Sequence, residues 1–472
     1  MSVSTEPKHP QAIGMWLPLA PVLISAALIS SIIVTLGAPL IPLMQERFAI
    51  SSEEAQWSYT ITLLVAAACT PIFGRMADGR RRRPVTVLVC GLVSVGCIIS
   101  ALADSFSMLL IGRGMQGLGV SLVAMTIAAA RAYLPAHSAQ STVAILSITT
   151  ALGAGIGYPI TTYIADHMGM GVAFGVAGAF SAIVAVIVLI RLPPAGDVAT
   201  PRADLVGMLL LVTGVTSYLL AITHGNSWHW FSFQVLVLFG AGTALLAFWI
   251  RWEFHTPFPL VKLQLMANRR LLSADVIALF MGVSLYSTPV LVSRLVQLPT
   301  STGYGLGLSL TVAGMIMIPI VFGNLLGSRI IFLGGRFGGA RVSLILGSGL
   351  AMVGALVLTT EHVSIPVLVL AMSLTAIGAG ATFGSMPALV IEAVPEQETG
   401  SAMSFNLLLR TMGGTIGSAL TAASLGVFTP PGHDYAEWAG FRLAFSICAF
   451  ACLTALVVSL VLVPRSSTQQ SR

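Results

Sequence analysis

Polar and apolar residues do not alternate along this chain; the apolar ones run together. Long uncharged stretches rich in Leu, Val, Ile, Ala and Gly follow one another almost from end to end, broken by short clusters of charge, glycine and proline. A run of that kind reads as a membrane-crossing helix, because a hydrocarbon layer of about 30 Å needs about 20 residues at about 1.5 Å rise each. Fourteen such spans are predicted, at 15–44, 53–76, 84–103, 107–133, 139–164, 170–191, 205–223, 233–251, 271–297, 306–331, 341–360, 365–392, 400–427 and 440–463. The predicted fold class is all-α and polytopic, a single membrane domain without a sizeable soluble part.

Composition agrees. The 472 residues are 56% apolar and only 8% charged, against about 25% charged in soluble domains. The net charge of +6 is therefore read as membrane topology and not as nucleic-acid binding, since Lys and Arg collect in cytoplasmic loops. With a cytoplasmic N-terminus, eighteen of the 23 basic residues fall on the cytoplasmic side. Only Arg47, Arg294 and Arg442 fall opposite, and Arg113 and Arg410 lie inside spans. Both termini are thus expected in the cytoplasm of a cell with an inner (plasma) membrane. The stretch before Gly14 has no cleavage-site pattern, so the first span is expected to be kept. The five cysteines lie within apolar runs, which argues against a disulfide or a metal site. The only lysines, Lys8 and Lys262, stand in no phosphate-binding loop. No carboxylate pair occurs within a span and the histidines sit in loops or at span ends, so an enzyme is not expected.

A repeat divides the chain. Gly117, Gly119 and Pro135 recur as Gly378, Gly380 and Pro395, at offsets of 261, 261 and 260. A basic hairpin follows the second span and another the tenth. The predicted organisation is a tail 1–14, a six-helix bundle 15–191, a linker 192–270 carrying two inserted helices, a second six-helix bundle 271–463 and a tail 464–472. Parallel repeats of this kind are built for alternating access around a central site.

Four stretches carry a resemblance. GRMADGRRRRP, from Gly74, is similar to the hairpin signature of the major facilitator superfamily at Gly74, Met76, Ala77, Asp78, Arg82 and Arg83, and departs at Gly79 and Arg81. LLIGRGMQGLG resembles the family's fourth-helix pattern at Ile111, Arg113, Gln116, Gly117 and Gly119. ALGAGIGYPITT resembles the antiporter signature at Gly153, Gly157 and, displaced by one, Pro159. The region from Asp204 through a tryptophan-rich loop to Arg270, with LRTMGGTIGSA from Leu409, looks like the fourteen-helix drug:proton antiporter branch. The resemblance implies a major facilitator fold (6+2+6) with two pseudo-symmetric halves. It implies a conformational latch in which Asp78, with Gly74, Arg82 and Arg83, closes on the start of the thirteenth span, with Arg131 the expected cationic partner. It also implies proton coupling at Arg113, which burial inside a span marks as functional on physical grounds; Gln116, three residues on, shares its helix face.

One departure matters. Ser30 stands where the family places an acid in the first helix, so another carboxylate is needed to carry the proton. Asp275, Asp78, Asp166 and Glu392 are the candidates, and Asp275 is the choice. Trp57, Tyr158, Tyr286 and Arg410 are candidates to line a cavity, Arg410 alternatively serving a polar contact between helices. The expected function is export of small amphiphilic compounds by proton antiport, powered by the proton gradient without a cofactor or metal, by a monomer in the lipid bilayer. A symporter or facilitator importing a small organic solute is the alternative, and a non-transporting sensor on the same fold a second. Reporter tags inserted after Arg83 and after Arg341 are expected on the cytoplasmic side of intact cells; external tags would overturn the topology.

Overall fold

The computed structural model describes residues 19–77, 79–194, 204–225, 228–257, 259, 263, 268–337, 339–360, 364–394, 399–430, 433 and 435–464. Their regular structure is helical throughout. The α-helices, in order, are α1 Leu19–Thr35, α2 Ile41–Phe48, α3 Ser52–Met76, α4 Arg82–Ala101, α5 Phe106–Gly117, α6 Leu122–Tyr133, α7 Ala136–Met168, α8 Met170–Arg191, α9 Leu205–His224, α10 Phe233–His255, α11 Arg269–Gln297, α12 Leu310–Met315, α13 Pro319–Phe337, α14 Ala340–Val357, α15 Ile365–Ala393, α16 Thr399–Val427 and α17 Trp438–Val461. Among the described residues, 12 helical stretches are long and apolar enough to cross a membrane. Beyond these, α7 and α16 have 33 and 29 residues.

Local sequence explains where helices begin. Ser105, Asp204, Ser232, Asn268 and Ser309 each accept a backbone N–H of the first turn, satisfying donors that a helix start leaves open. It also explains three breaks inside predicted spans. The first span stops at Thr35 and resumes at Ile41 through one 3-10 turn, Ala38–Leu40. There the Gly37 N–H donates to Val34 O at 3.2 Å, one residue short of the α-helical partner, and Pro39 has no N–H to continue the ladder. The fourth span passes through a 3-10 turn at Leu118–Ser121. The tenth is split between α12 and α13, ahead of Pro319.

Helices α1–α8 pack chiefly on one another, as do α11–α17, while α9 and α10 form a hairpin. Two main lines of contact cross between these groups, α3 on α16, and α7 on α12 and α13, with smaller contacts from the Ala38–Leu40 turn to α11 and α12. Toward the end that carries Arg82, Arg83 and Arg341, here the basic face, the second group has an apolar core of its own around Leu271, Met281, Leu344 and Leu389. Toward the opposite face, one core mixes both groups: Ile41, Tyr59 and Tyr158 with Val290, Leu295, Met317 and Phe441. Helix α9 lies over the α3–α16 line, burying Met208, Leu211 and Val215 with Leu64 and Leu408.

The repeat has a structural counterpart at the basic face. Arg83, at the start of α4, donates to Leu189 O at the end of α8. Arg341, at the start of α14, donates to Leu460 O at the end of α17 at 2.6 Å. In each group an arginine ties the third predicted span to carbonyls that the end of the sixth leaves open.

Close helix contact rests on glycine. A Cβ on Gly413 of α16 would land on Leu279 O of α11, and one on Gly282 of α11 would land on Arg410 O. Without a hydrophobic force between helices in lipid, such backbone approach is the main source of attraction. Gly413→Ala is expected to destabilise the protein by about 1–3 kcal/mol, read as a lower thermal midpoint in detergent. Gly91→Ala, where a Cβ meets nothing within 4 Å, is the control and is expected to leave it unchanged.

Candidate functional site

Arg113 has no exposed surface. Its guanidinium donates through Nε to Ser58 O of α3 at 3.1 Å, and through Nη1 to Gln116 Oε1 at 2.6 Å and Ile33 O of α1 at 3.4 Å. The last acceptor is available because α1 breaks: the Gly37 N–H that would have taken Ile33 O turns to Val34 O instead. Phe174 lies 5.9 Å from the guanidinium carbon, within cation–π range. Gln116 passes the chain on, its Nε2 donating to Ser100 Oγ at 2.9 Å and Gly96 O at 3.3 Å. These partners are carbonyl, amide and hydroxyl oxygens, so the positive charge is met by dipoles. Nη2 is buried with no hydrogen-bond partner. It points at Gly37, where a Cβ would sit 2.8 Å from Nη2 and 2.5 Å from Tyr59 Cδ2.

Tyr59 leads from this centre into the second group of helices. Its hydroxyl donates to Tyr286 O of α11 at 3.1 Å, beside the proline at position 289 within that helix. On the same face of α3, Gln56 Nε2 donates to Ser418 Oγ of α16 at 2.9 Å, and Thr60 Oγ1 meets that same oxygen at 2.9 Å. Nearer the end opposite the basic face, Thr311 donates its N–H and its hydroxyl to Asp166 Oδ2 at 3.2 and 2.6 Å. Gln297 Nε2 reaches Pro39 O at 3.4 Å. The polar bonds that join the groups therefore gather in the middle and at that end.

The antiporter-like helix lies along the second crossing line. Gly153 and Gly157 let α7 approach α1, where Cβ atoms would stand 2.7 Å from Ser31 Cβ and 2.9 Å from Thr35 Cγ2. Thr161 Oγ1 meets Thr35 Oγ1 at 3.2 Å. Gly155 packs against Val321 of α13 and Thr162 against Gly314 of α12. Pro159 is within the helix without ending it. Tyr158 is buried at 3% exposure in the mixed core, beside Tyr59 and Tyr286.

A second polar centre lies in α11 and α16. Asp275 is 2% exposed, and its Oδ1 accepts Asn406 Nδ2 at 2.9 Å. Oδ2 is buried with no hydrogen-bond partner. One turn along α16, Arg410 is half-buried, its guanidinium carbon 5.0 Å from the Phe383 ring.

The remaining sequence candidates are dispersed. Asp78 lies outside the described residues. Gly74 faces α16, a Cβ there falling 3.5 Å from Ser404 Oγ. Arg82 stacks on Tyr133 at 5.2 Å, Arg83 is engaged with Leu189 O, and Arg131 is exposed. Trp57 packs on His224 of α9 at 4.8 Å and so faces the inserted hairpin. Glu392 is bound to Arg270 at 2.8 Å, both partly exposed, an ordinary helix-end ion pair.

Gln56, Thr60, Ser418 and Asn406 were not singled out from sequence. The signal was there: Gln56, Tyr59 and Thr60 fall at i, i+3 and i+4 on one helix face, and Asn406 precedes Arg410 by four in an apolar span. Nothing in the sequence names their partners.

Comparison with known proteins places this geometry. The model of the Major Facilitator Superfamily matches residues 23–418 and 279–472. Multidrug resistance protein Stp of Mycobacterium tuberculosis is 27% identical over 398 residues, covering 82% of this chain and 71% of that protein. Methylenomycin A resistance protein of Bacillus subtilis is 25% identical over 447 residues, covering 91% and 90%. Multidrug transporter protein MdtP of the same species is 25% identical over 78% of this chain and 68% of its own. Among solved structures, a POT family transporter in complex with a thioalcohol-conjugated peptide superposes with a TM-score of 0.67 at 16% identity, over 94% of both chains; at that identity the likeness is one of fold.

Ser418→Ala is expected to leave the Gln56 amide and the Thr60 hydroxyl without their partner, lowering stability by about 1–3 kcal/mol. The thermal midpoint in detergent reads this, and an unchanged midpoint would show the bridge to carry no weight.

Proposed function

The chain belongs to the major facilitator superfamily, and from that premise we propose that it exports small amphiphilic compounds, drugs and antibiotics among them, in exchange for protons. It crosses the plasma membrane fourteen times in a 6+2+6 arrangement, as a monomer with both termini in the cytoplasm. The two six-helix halves rock about a central site, and the proton gradient supplies the energy with no cofactor.

The observation that carries this reading is Arg113: a cation at helix depth, engaged by dipoles, one side chain away from the tyrosine that bonds to the other half. A fixed charge in that position raises the cost of a second cation entering and favours an anion beside it. With the basic face cytoplasmic, the bonds from Asp166 to Thr311 and from Gln297 to Pro39 close the outer end, so the form described faces the cytoplasm. Export then requires these bonds to break and contacts at the basic face to form, where Gly74, Asp78, Arg82, Arg83 and Arg131 act as the latch against α16. Asp275 carries the proton: it is buried, close to the basic face, and has an oxygen free to take one up. Arg410, Tyr158 and Tyr286 bound the substrate path, and Trp57 acts through the hairpin instead. The relatives named for multidrug and methylenomycin A resistance support export over import.

Inverted vesicles with an acidic interior test the proposal. Addition of chloramphenicol, a neutral amphiphile, together with a panel of other antibiotics, is expected to dissipate the pH gradient. Arg113→Ala is expected to reduce that response to the level of vesicles lacking the protein. Because fully buried Arg113 and half-buried Arg410 place fixed positive charge near the path, a lipophilic dication is expected to release fewer protons than a neutral compound. A silent panel with the unaltered protein, or full activity in Arg113→Ala, would overturn the mechanism.

A further inference from the structure

Asn406 makes two hydrogen bonds to a single stretch of α11. One amide hydrogen goes to Asp275 Oδ1 at 2.9 Å and the other to Ala274 O at 3.1 Å. Asn406 is itself only 6% exposed. Resting on the reading of Asp275 as the proton carrier, we propose that Asn406 is its positioning residue: it converts the charge of Asp275 into the strength of the attachment between α11 and α16.

The chemistry follows from which oxygen is occupied. Oδ1 holds the amide hydrogen, so an arriving proton binds Oδ2, the buried oxygen without a partner. Only that O–H bond forms on uptake and breaks on release. With Asp275 ionised, the bond from Asn406 is charge-assisted and roughly twice as strong as a neutral one; with Asp275 neutral, it falls to ordinary strength. The bond to Ala274 O is the same in both states and keeps the amide in place. Helix α16 runs unbroken from Asn406 to Ser418, the residue that Gln56 and Thr60 of α3 engage. A change of attachment at Asn406 therefore reaches the contact between the two halves through a rigid element.

The surrounding charges leave this pair to itself. Arg410 on α16 is one turn further along, against Phe383. Glu392 on α15 is taken by Arg270, and Arg341 on α14 by Leu460 O. Arg269 opens α11 itself, and Cys452 is the titratable group of α17 in the neighbouring core. Helix α12 carries no charge, and Glu46 and Arg47 of α2 belong to the opposite end.

The test uses the purified full-length protein in liposomes and infrared difference spectra taken across a pH series. A carboxyl stretching band that titrates in the unaltered protein and is missing in Asp275→Asn belongs to Asp275. In Asn406→Leu, which keeps the volume and removes the donor, the midpoint of that band is expected to move to higher pH by about one unit. Asn406→Gln, which keeps an amide donor, is expected to reverse much of that shift. Should Asn406→Leu fail to fold, Asn406→Ala, which also lacks the donor, is expected to show the same shift. An unmoved midpoint in a folded donor-less variant overturns the role of Asn406 and leaves Asp275 as the carrier. A spectrum unchanged by Asp275→Asn overturns the carrier reading itself.

Discussion

A guanidinium with no exposed surface has to be solvated by something, and in Arg113 that requirement organises the first set of helices. Burying such a charge at helix depth costs about 2.5–3.5 kcal/mol on insertion scales, while each hydrogen bond it makes returns about 1.5–3 kcal/mol. Three oxygens supply that return, and two of them are backbone carbonyls from other helices. One is free to accept only because α1 is interrupted at Gly37. The break in α1, the small residue at its corner and the arginine across from it are one arrangement: an unbroken helix would take Ile33 O away from Arg113, loss of the arginine would leave that carbonyl without its donor, and a Cβ at Gly37 would collide with Tyr59 and Nη2.

The two groups of helices are held together quite differently inside and between themselves. Inside, glycines bring backbones into contact, as at Gly282 and Gly413 or Gly96 and Gly112. Packing of that kind depends on fit along whole helices and resists sliding. Between the groups, beside the mixed apolar core and the approaches of Gly155 to Val321 and Gly314 to Thr162, hydroxyls and amides make separate hydrogen bonds, such as those around Ser418 and from Thr311 to the Asp166 carboxyl group. A neutral hydrogen bond has a net value of only about 0.5–1.5 kcal/mol, and one to a charged group about 1.5–3 kcal/mol, so a few can be exchanged for others as the groups tip. Rigid units joined by replaceable bonds are what alternating access needs.

The electrostatics are also lopsided in a useful way. In the first group a permanent cation sits among dipoles; in the second, a carboxylate with one vacant oxygen sits against an amide. A side chain that stays charged sets the field, and one that can gain or lose a proton responds to it. Helix α9, lying along the α3–α16 line, covers the seam between the two groups with apolar residues.

Much of this was written in the order of residues. Run lengths located the helices, because the thickness of a hydrocarbon layer imposes itself on any crossing segment. Arg113 and Gln116 were readable as a pair from their spacing alone, since helix geometry puts i and i+3 together, and they are bonded at 2.6 Å. The glycine spacings announced close packing without naming the partner. Tertiary structure decided the rest: that Ile33 O answers Arg113, that Tyr59 reaches Tyr286 O, that Asn406 holds Asp275, and that Trp57 turns toward the hairpin. Each of these depends on how helices rotate and cross. That outcome is set jointly by side chains hundreds of residues apart, whereas apolar length and helical spacing are local properties that any short window of sequence displays.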